Sequence, residues 1–83
     1  NMKLENAIKK LNKVGMKVSH NGTQYFARTE DGTSEIRFRT SGEGFTTIFC
    51  IQVHKVGEMG DSQSDYFAGT LCSSLPQAIR LVH

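Results

Sequence analysis

Cysteine and histidine are the side chains through which this 83-residue sequence could do nucleophilic or metal chemistry. A nucleophile needs a base within hydrogen-bonding reach. Cys50 and His54 lie four residues apart on one predicted strand, so strand rise separates them by about 13 Å. Cys50 and Cys72 form no C-x-x-C pair, and the three histidines are scattered. This spacing predicts no catalytic residue and no metal site; we expect two reduced thiols that pack as small hydrophobic groups.

Carboxylates and glycines give no enzymatic pattern either. The acidic residues of predicted turns and loops are Glu30, Asp31, Glu43, Glu58, Asp61 and Asp65. Paired carboxylates at a fixed separation are needed for glycoside hydrolysis, and loops do not fix one. Asp61 and Asp65 could meet a cation or a basic partner, or they are solvated loop charges. Gly42 and Gly44 precede a strand rather than the helix that a phosphate-binding loop requires. The sequence therefore predicts no enzyme and no cofactor.

Length and composition favour a single α+β domain over residues 1–83. The chain is 37% hydrophobic and 22% charged, with a formal net charge of +2. It has no run of roughly 20 apolar residues, as a membrane span needs, and no apolar secretory core at its start, so we expect a cytoplasmic protein without membrane contact. The small charge contrasts with the strong basic excess typical of nucleic-acid-binding domains. A core of this size is marginal, which also favours a homodimer.

Periodicity and turn dipeptides predict the first half of the fold. Apolar residues at helical spacing predict a helix over 3–14, ended by Gly15. Asn21-Gly22 and Asp31-Gly32 predict two hairpins with two-residue loops. These loops would pair Val18 with Tyr25, and Tyr25 with Phe38. The residues that both registers place on one apolar face are Met16, Val18, Tyr25, Ala27, Ile36 and Phe38.

The second half predicts a long strand, a loop, a short strand and a helix. The strand over 46–56 alternates, with Phe49, Ile51 and Val53 on one face and Ile48, Cys50, Gln52 and His54 on the other. Residues 57–64 read as a loop, and 65–71 as an optional fifth strand. Ser74 and Pro76 open the last helix. The predicted fold class is α+β, a two-layer sandwich in which both helices cover one face of an antiparallel four- to five-stranded meander.

The sheet face away from the helices, called the outer face below, carries the candidate binding residues. On the first three strands it consists of Lys17, Ser19, Gln24, Phe26, Arg28, Glu35, Arg37 and Arg39. Arg28 would pair with Glu35, and Phe26 would lie opposite Arg37, within reach of a cation–π contact. The residues that we predict to bind a partner are Phe26, Arg28, Arg37, Arg39, Ile48 and Cys50. Three interpretations remain open: a solvated face, a protein-contact face and a nucleic-acid platform.

Two stretches of sequence resemble known families. The segments LNKVGMKV (11–18), GTQYF (22–26) and DG (31–32) resemble messenger-RNA-cleaving toxins of the HicA type, which implies a double-stranded-RNA-binding-like fold. That family's catalytic histidine corresponds to Gln24 here, so the resemblance implies an RNA-binding module or a degenerate ribonuclease. The segments SDYFAGT (64–70) and SLPQAI (74–79) are similar to small phage, prophage and mobile-element proteins, which often act by binding a host protein, sometimes as inhibitors.

The absence of an assembled catalytic set and the half-apolar outer face together favour one function. We expect a small non-enzymatic binding module that acts by protein–protein contact, with a host protein or a second copy of itself as partner. The alternatives are an RNA-binding module of the double-stranded-RNA-binding-like class and a degenerate HicA-like ribonuclease.

Overall fold

A computed structural model of the chain describes residues 2–41, 47–56 and 69–83. Its elements are α1 (Leu4–Lys13), β1 (Lys17–Asn21), β2 (Gln24–Arg28), β3 (Ser34–Thr40), β4 (Ile48–Lys55), β5 (Thr70–Cys72) and α2 (Leu75–Val82). The strands form one antiparallel sheet in the order β1-β2-β3-β4-β5. The predicted α+β meander, including its fifth strand, is confirmed.

Local sequence features explain the end of α1 and the start of α2. Helix α1 buries Ala7 and Leu11, and the chain leaves it through Gly15, whose φ of +85° lies in the left-handed region that favours glycine. Helix α2 is capped by Ser74, whose hydroxyl accepts a hydrogen bond from the Gln77 N–H at 3.3 Å. Helix α2 buries Leu75 and Ala78, so each helix buries one stripe of residues and exposes the other.

The apolar stripes of both helices pack on one face of the sheet, which defines the core. Its buried members are Ala7, Leu11, Met16, Ala27, Ile36, Phe38, Ile48, Ile51, Val53, Cys72, Leu75 and Ala78. Tyr25 stacks on Phe38 with ring centroids 5.5 Å apart, which extends the core to the sheet end. In the described part of the chain, no helix is long and apolar enough to cross a membrane.

The first hairpin departs from the predicted register by two residues. Asn21 pairs with Gln24, and Val18 pairs with Ala27 rather than with Tyr25. The two-residue loop is thus Gly22-Thr23, and Gly22 supplies the positive φ of +63°. A shift of two residues preserves the alternation of side chains, so the predicted faces of β1 remain correct.

The second hairpin has the predicted register, with Ala27 opposite Ile36, but its loop is longer. Asp31 organises this loop by accepting hydrogen bonds from the Thr29 hydroxyl at 2.7 Å, the Thr33 N–H at 3.0 Å and the Thr33 hydroxyl at 2.8 Å. These bonds, led by the one from Thr29, lower the pKa of Asp31 to about 2.

A β-bulge in β4 overturns the predicted faces of its first residues. The β3–β4 register shifts between Arg37 and Arg39, and Cys50 has a φ of +54°. The extra residue reverses the alternation N-terminal to it. The prediction that Ile48 lies on the outer face is therefore wrong: Ile48 is 4% exposed and belongs to the core. Phe49, predicted for the core face, is 50% exposed and pairs with Arg39 on the outer face.

Three predicted features fall outside the described residues. They are the connection at 42–44, the loop at 57–64 and most of the strand predicted over 65–71. The described strand β5 begins at Thr70 and pairs with β4 at Ile51, Gln52 and Val53.

Candidate binding surface on the outer face

Strand pairing arranges the outer face in three cross-strand rows. One row holds Lys17, Arg28, Glu35 and His54; the next holds Ser19, Phe26, Arg37, Gln52 and Leu71; the third holds Asn21, Gln24, Arg39 and Phe49. We call Arg28, Glu35, Arg37 and His54 the paired end of this face, and the third row its exposed end. The two ends contain similar residue types in different environments.

Glu35 joins two arginines at the paired end. Its Oε2 accepts from Arg28 Nε at 3.1 Å, and its Oε1 accepts from Arg37 Nε at 2.8 Å. The Glu35 side chain is 4% exposed and that of Arg37 is 10% exposed. Arg37 also lies over the Phe26 ring, 5.6 Å from its centroid. Both predicted contacts, Arg28–Glu35 and Phe26–Arg37, are confirmed. Arg37 is held within the protein by them, whereas the Arg28 side chain remains 45% exposed.

His54 completes the paired end beneath the backbone of Gly69. The imidazole is 1% exposed although it lies on the face away from the helices. A Cβ atom at position 69 would lie 2.5 Å from His54 Cε1. Glycine is therefore the residue that lets the backbone pass this close to the imidazole ring. His54 Nε2 donates to Gln52 Oε1 at 2.9 Å. At the paired end, Glu35, Arg37 and His54 are therefore buried, whereas the Arg28 side chain is 45% exposed.

Arg39 and Phe49 dominate the exposed end. They form one cross-strand pair, and both side chains are exposed. The described residues supply no hydrogen bond or ion pair to the Arg39 guanidinium. The neighbouring Gln24 and Asn21 contribute amides and no charge. Within the described ranges, an arginine without a carboxylate partner thus lies beside a half-exposed aromatic ring.

Two depressions border the exposed end. A small one of about 40 Å³ is lined by Gln24, Arg37, Phe38, Arg39, Cys50 and Gln52. A groove of about 540 Å³ is lined by Met2, Ile48, Phe49, Cys50, Ile51, Cys72, Ser73, Ser74, Leu75 and Pro76. Phe49 borders the groove, and Cys50 borders both depressions. None of these described lining residues is charged, and burial raises the pKa of the Cys72 thiol, which disfavours its thiolate form.

Cys50 is linked to His54 only indirectly, through the side-chain amide of Gln52. Gln52 Nε2 donates to Cys50 Sγ at 3.7 Å, and its Oε1 accepts from His54. An amide side chain neither removes a proton from a thiol nor returns one, so this chain of contacts does not activate Cys50. Among the described residues, no group of three metal-ligating side chains converges.

The structure divides the six predicted binding residues. Arg28 and Arg37 belong to the paired end, and Phe26 contacts it. Arg39 belongs to the exposed end, Cys50 borders it, and Ile48 lies in the core. Sequence reasoning missed Phe49, because a bulge at a non-glycine residue leaves no sequence signal. It also missed Leu71, which is 69% exposed opposite Gln52.

Comparison of this chain with protein-family models, with curated proteins and with solved structures finds no match.

Proposed function

We propose that this chain is a non-enzymatic binding module that contacts a protein partner through the exposed end of the outer face. The observation that carries the proposal is the pair formed by Arg39 and Phe49, in which a guanidinium that receives no ion partner from the described residues adjoins a ring that is 50% exposed. Arginine and aromatic residues are enriched at the energetic centres of protein interfaces. The pair therefore has the composition of an interface centre.

Charge pairing on the outer face favours protein over nucleic acid. Of the four lysines and arginines that the described strands place on this face, Arg28 and Arg37 bind Glu35, which leaves Lys17 and Arg39 for other anions. RNA-binding sheets need several free cations and stacking rings along a strand path. Phe26 is engaged by Arg37, so Phe49 is the ring that the described outer face leaves exposed. One ring and two separated cations suit a protein contact better.

Quantitative affinity capture tests the proposal. The bait is the full chain, and the prey is a lysate of cells that express it naturally. The test variant Arg39→Gln/Phe49→Thr removes the charge and the ring and keeps strand propensity. The control Arg80→Gln/Leu81→Gln removes an exposed arginine and a 52%-exposed leucine from α2.

We expect the test variant to lose the captured protein while the control retains it. Equal capture by both variants contradicts the proposal. Sedimentation of the bait alone distinguishes a second copy of the chain from a foreign partner. Fluorescence anisotropy with labelled RNA at about 50 and about 200 mM salt tests the nucleic-acid alternative. An affinity for RNA that falls steeply with salt and depends on Arg39 would assign the surface to nucleic acid instead.

A further inference from the structure

The exposed end continues into the apolar groove beside β4. Phe49 belongs to both, since it pairs with Arg39 and also borders the groove. The groove lies between the start of β4 and the start of α2, where Ile51 faces Cys72 and Leu75 follows. A volume of about 540 Å³ falls within the range of ligand sites. One ligand can therefore reach the groove and Arg39 together.

We propose that this combined site takes a segment of a partner protein in which an aspartate or glutamate adjoins an apolar side chain. The apolar side chain occupies the groove against Ile51 and Leu75, and the carboxylate binds the Arg39 guanidinium. This inference rests on the proposed function and adds the chemistry of the partner.

Charge complementarity selects the carboxylate. The described residues that line the groove include no charged side chain, and the described residues leave the Arg39 guanidinium without an ion partner. Glu35, the acid on the described strands of the outer face, already binds Arg28 and Arg37. Arginine binds carboxylates through charge-assisted and often bidentate hydrogen bonds. An acidic segment is therefore attracted, and a basic segment is repelled.

The adjoining groove explains why the ligand is a protein segment. A phosphate backbone presents a charge at every unit, whereas this site offers one cation next to a surface of Met2, Ile51, Leu75 and Pro76. Apolar side chains bury favourably in such a surface. Alternating apolar and acidic groups are a property of polypeptides, and the Gln24 and Gln52 amides beside Arg39 can bond to a partner backbone.

Selection from a library of short random peptides on the immobilised full chain tests this inference. We expect enriched peptides to share an aspartate or glutamate next to a leucine, isoleucine, methionine or phenylalanine. A synthetic peptide of the enriched sequence is then labelled, and its binding is measured by fluorescence anisotropy. Enrichment of basic peptides, of apolar peptides without an acid, or of no sequence at all overturns the inference.

A double-mutant cycle locates the carboxylate. Either Arg39→Gln in the protein or the acid-to-amide change in the peptide should weaken binding roughly 10- to 100-fold, as for loss of a charge-assisted contact. Both changes together should weaken binding by no more than either alone, because each removes the same contact. Arg80→Gln should leave the affinity unchanged. Additive losses would overturn the assignment to Arg39.

The outcomes separate this inference from the proposed function. If protein capture depends on Arg39 and Phe49 but the selected peptides lack an acid, the binding module stands and the partner chemistry is wrong. If neither assay depends on these residues, both proposals fail.

Discussion

The two ends of the outer face use arginine and phenylalanine in opposite ways. At the paired end, Arg37 is fixed between the Glu35 carboxylate and the Phe26 ring. At the exposed end, Arg39 lies beside Phe49, and no carboxylate of the described residues pairs with it. The two arginines are two residues apart on the same strand and point to the same side. Their environments, and not their types, separate a structural role from a binding role.

This contrast shows that a row of cations on a sheet is not a binding surface as a whole. Burying a charge is costly unless it is paired, so the paired end must satisfy its own charges. A solvated arginine carries no such cost and remains available to a partner. The stability of the domain and its recognition of a partner should therefore respond to different substitutions on one face.

The largest stability effect should come from Glu35→Gln. This change leaves Arg37, whose side chain is 10% exposed, without its carboxylate, and breaking a buried pair costs about 3 kcal/mol or more of unfolding free energy. Urea denaturation measures the loss. Glu30→Gln, at an exposed acid in the adjoining turn, is the control and should change stability by less than about 0.5 kcal/mol. Equal losses would show that Glu35 does not hold the paired end together.

An intermediate effect is expected from Gly69→Ala. The added methyl group would approach the buried His54 ring to 2.5 Å, and overpacking of this kind costs about 1–3 kcal/mol. Thermal and urea denaturation report the change. The double variant Gly69→Ala/His54→Ala should lose less than the sum of the two single variants, because removing the ring removes the clash. Strict additivity would mean that Gly69 and His54 are not in contact.

The smallest stability effect should come from Arg39→Gln. The side chain is exposed and the described residues give it no ion pair, so the unfolding free energy should stay within about 0.5 kcal/mol of the original. Urea denaturation beside Glu35→Gln makes the contrast direct. A loss as large as that of Glu35→Gln would place Arg39 in the structural network and remove the distinction between the two ends.

Local signals in the sequence predict most of the fold. The i, i+3, i+4 pattern predicts α1, and the serine cap and proline predict α2. Glycine-containing turns predict both hairpins, and even the two-residue shift of the first one keeps Val18 on the apolar face. The Arg28–Glu35 and Phe26–Arg37 contacts follow from the register of the second hairpin, which the sequence predicts correctly.

The candidate site was predictable only in part, because two features depend on non-local packing. The bulge at Cys50 exchanges the faces of Ile48 and Phe49, and nothing in the residue types marks it. The burial of His54 requires Gly69 to pass over its ring, a contact between positions 15 residues apart. Strand alternation alone therefore predicts that Ile48 is exposed and Phe49 is buried, whereas Ile48 is buried and Phe49 is exposed.

The most direct test of the exposed end measures binding and stability on the same samples. Arg39→Gln/Phe49→Thr and Arg80→Gln/Leu81→Gln are compared for captured partner protein and for urea denaturation. We expect both variants to fold with similar stability and only the first to lose the partner. Undiminished capture by a folded Arg39→Gln/Phe49→Thr variant would contradict it.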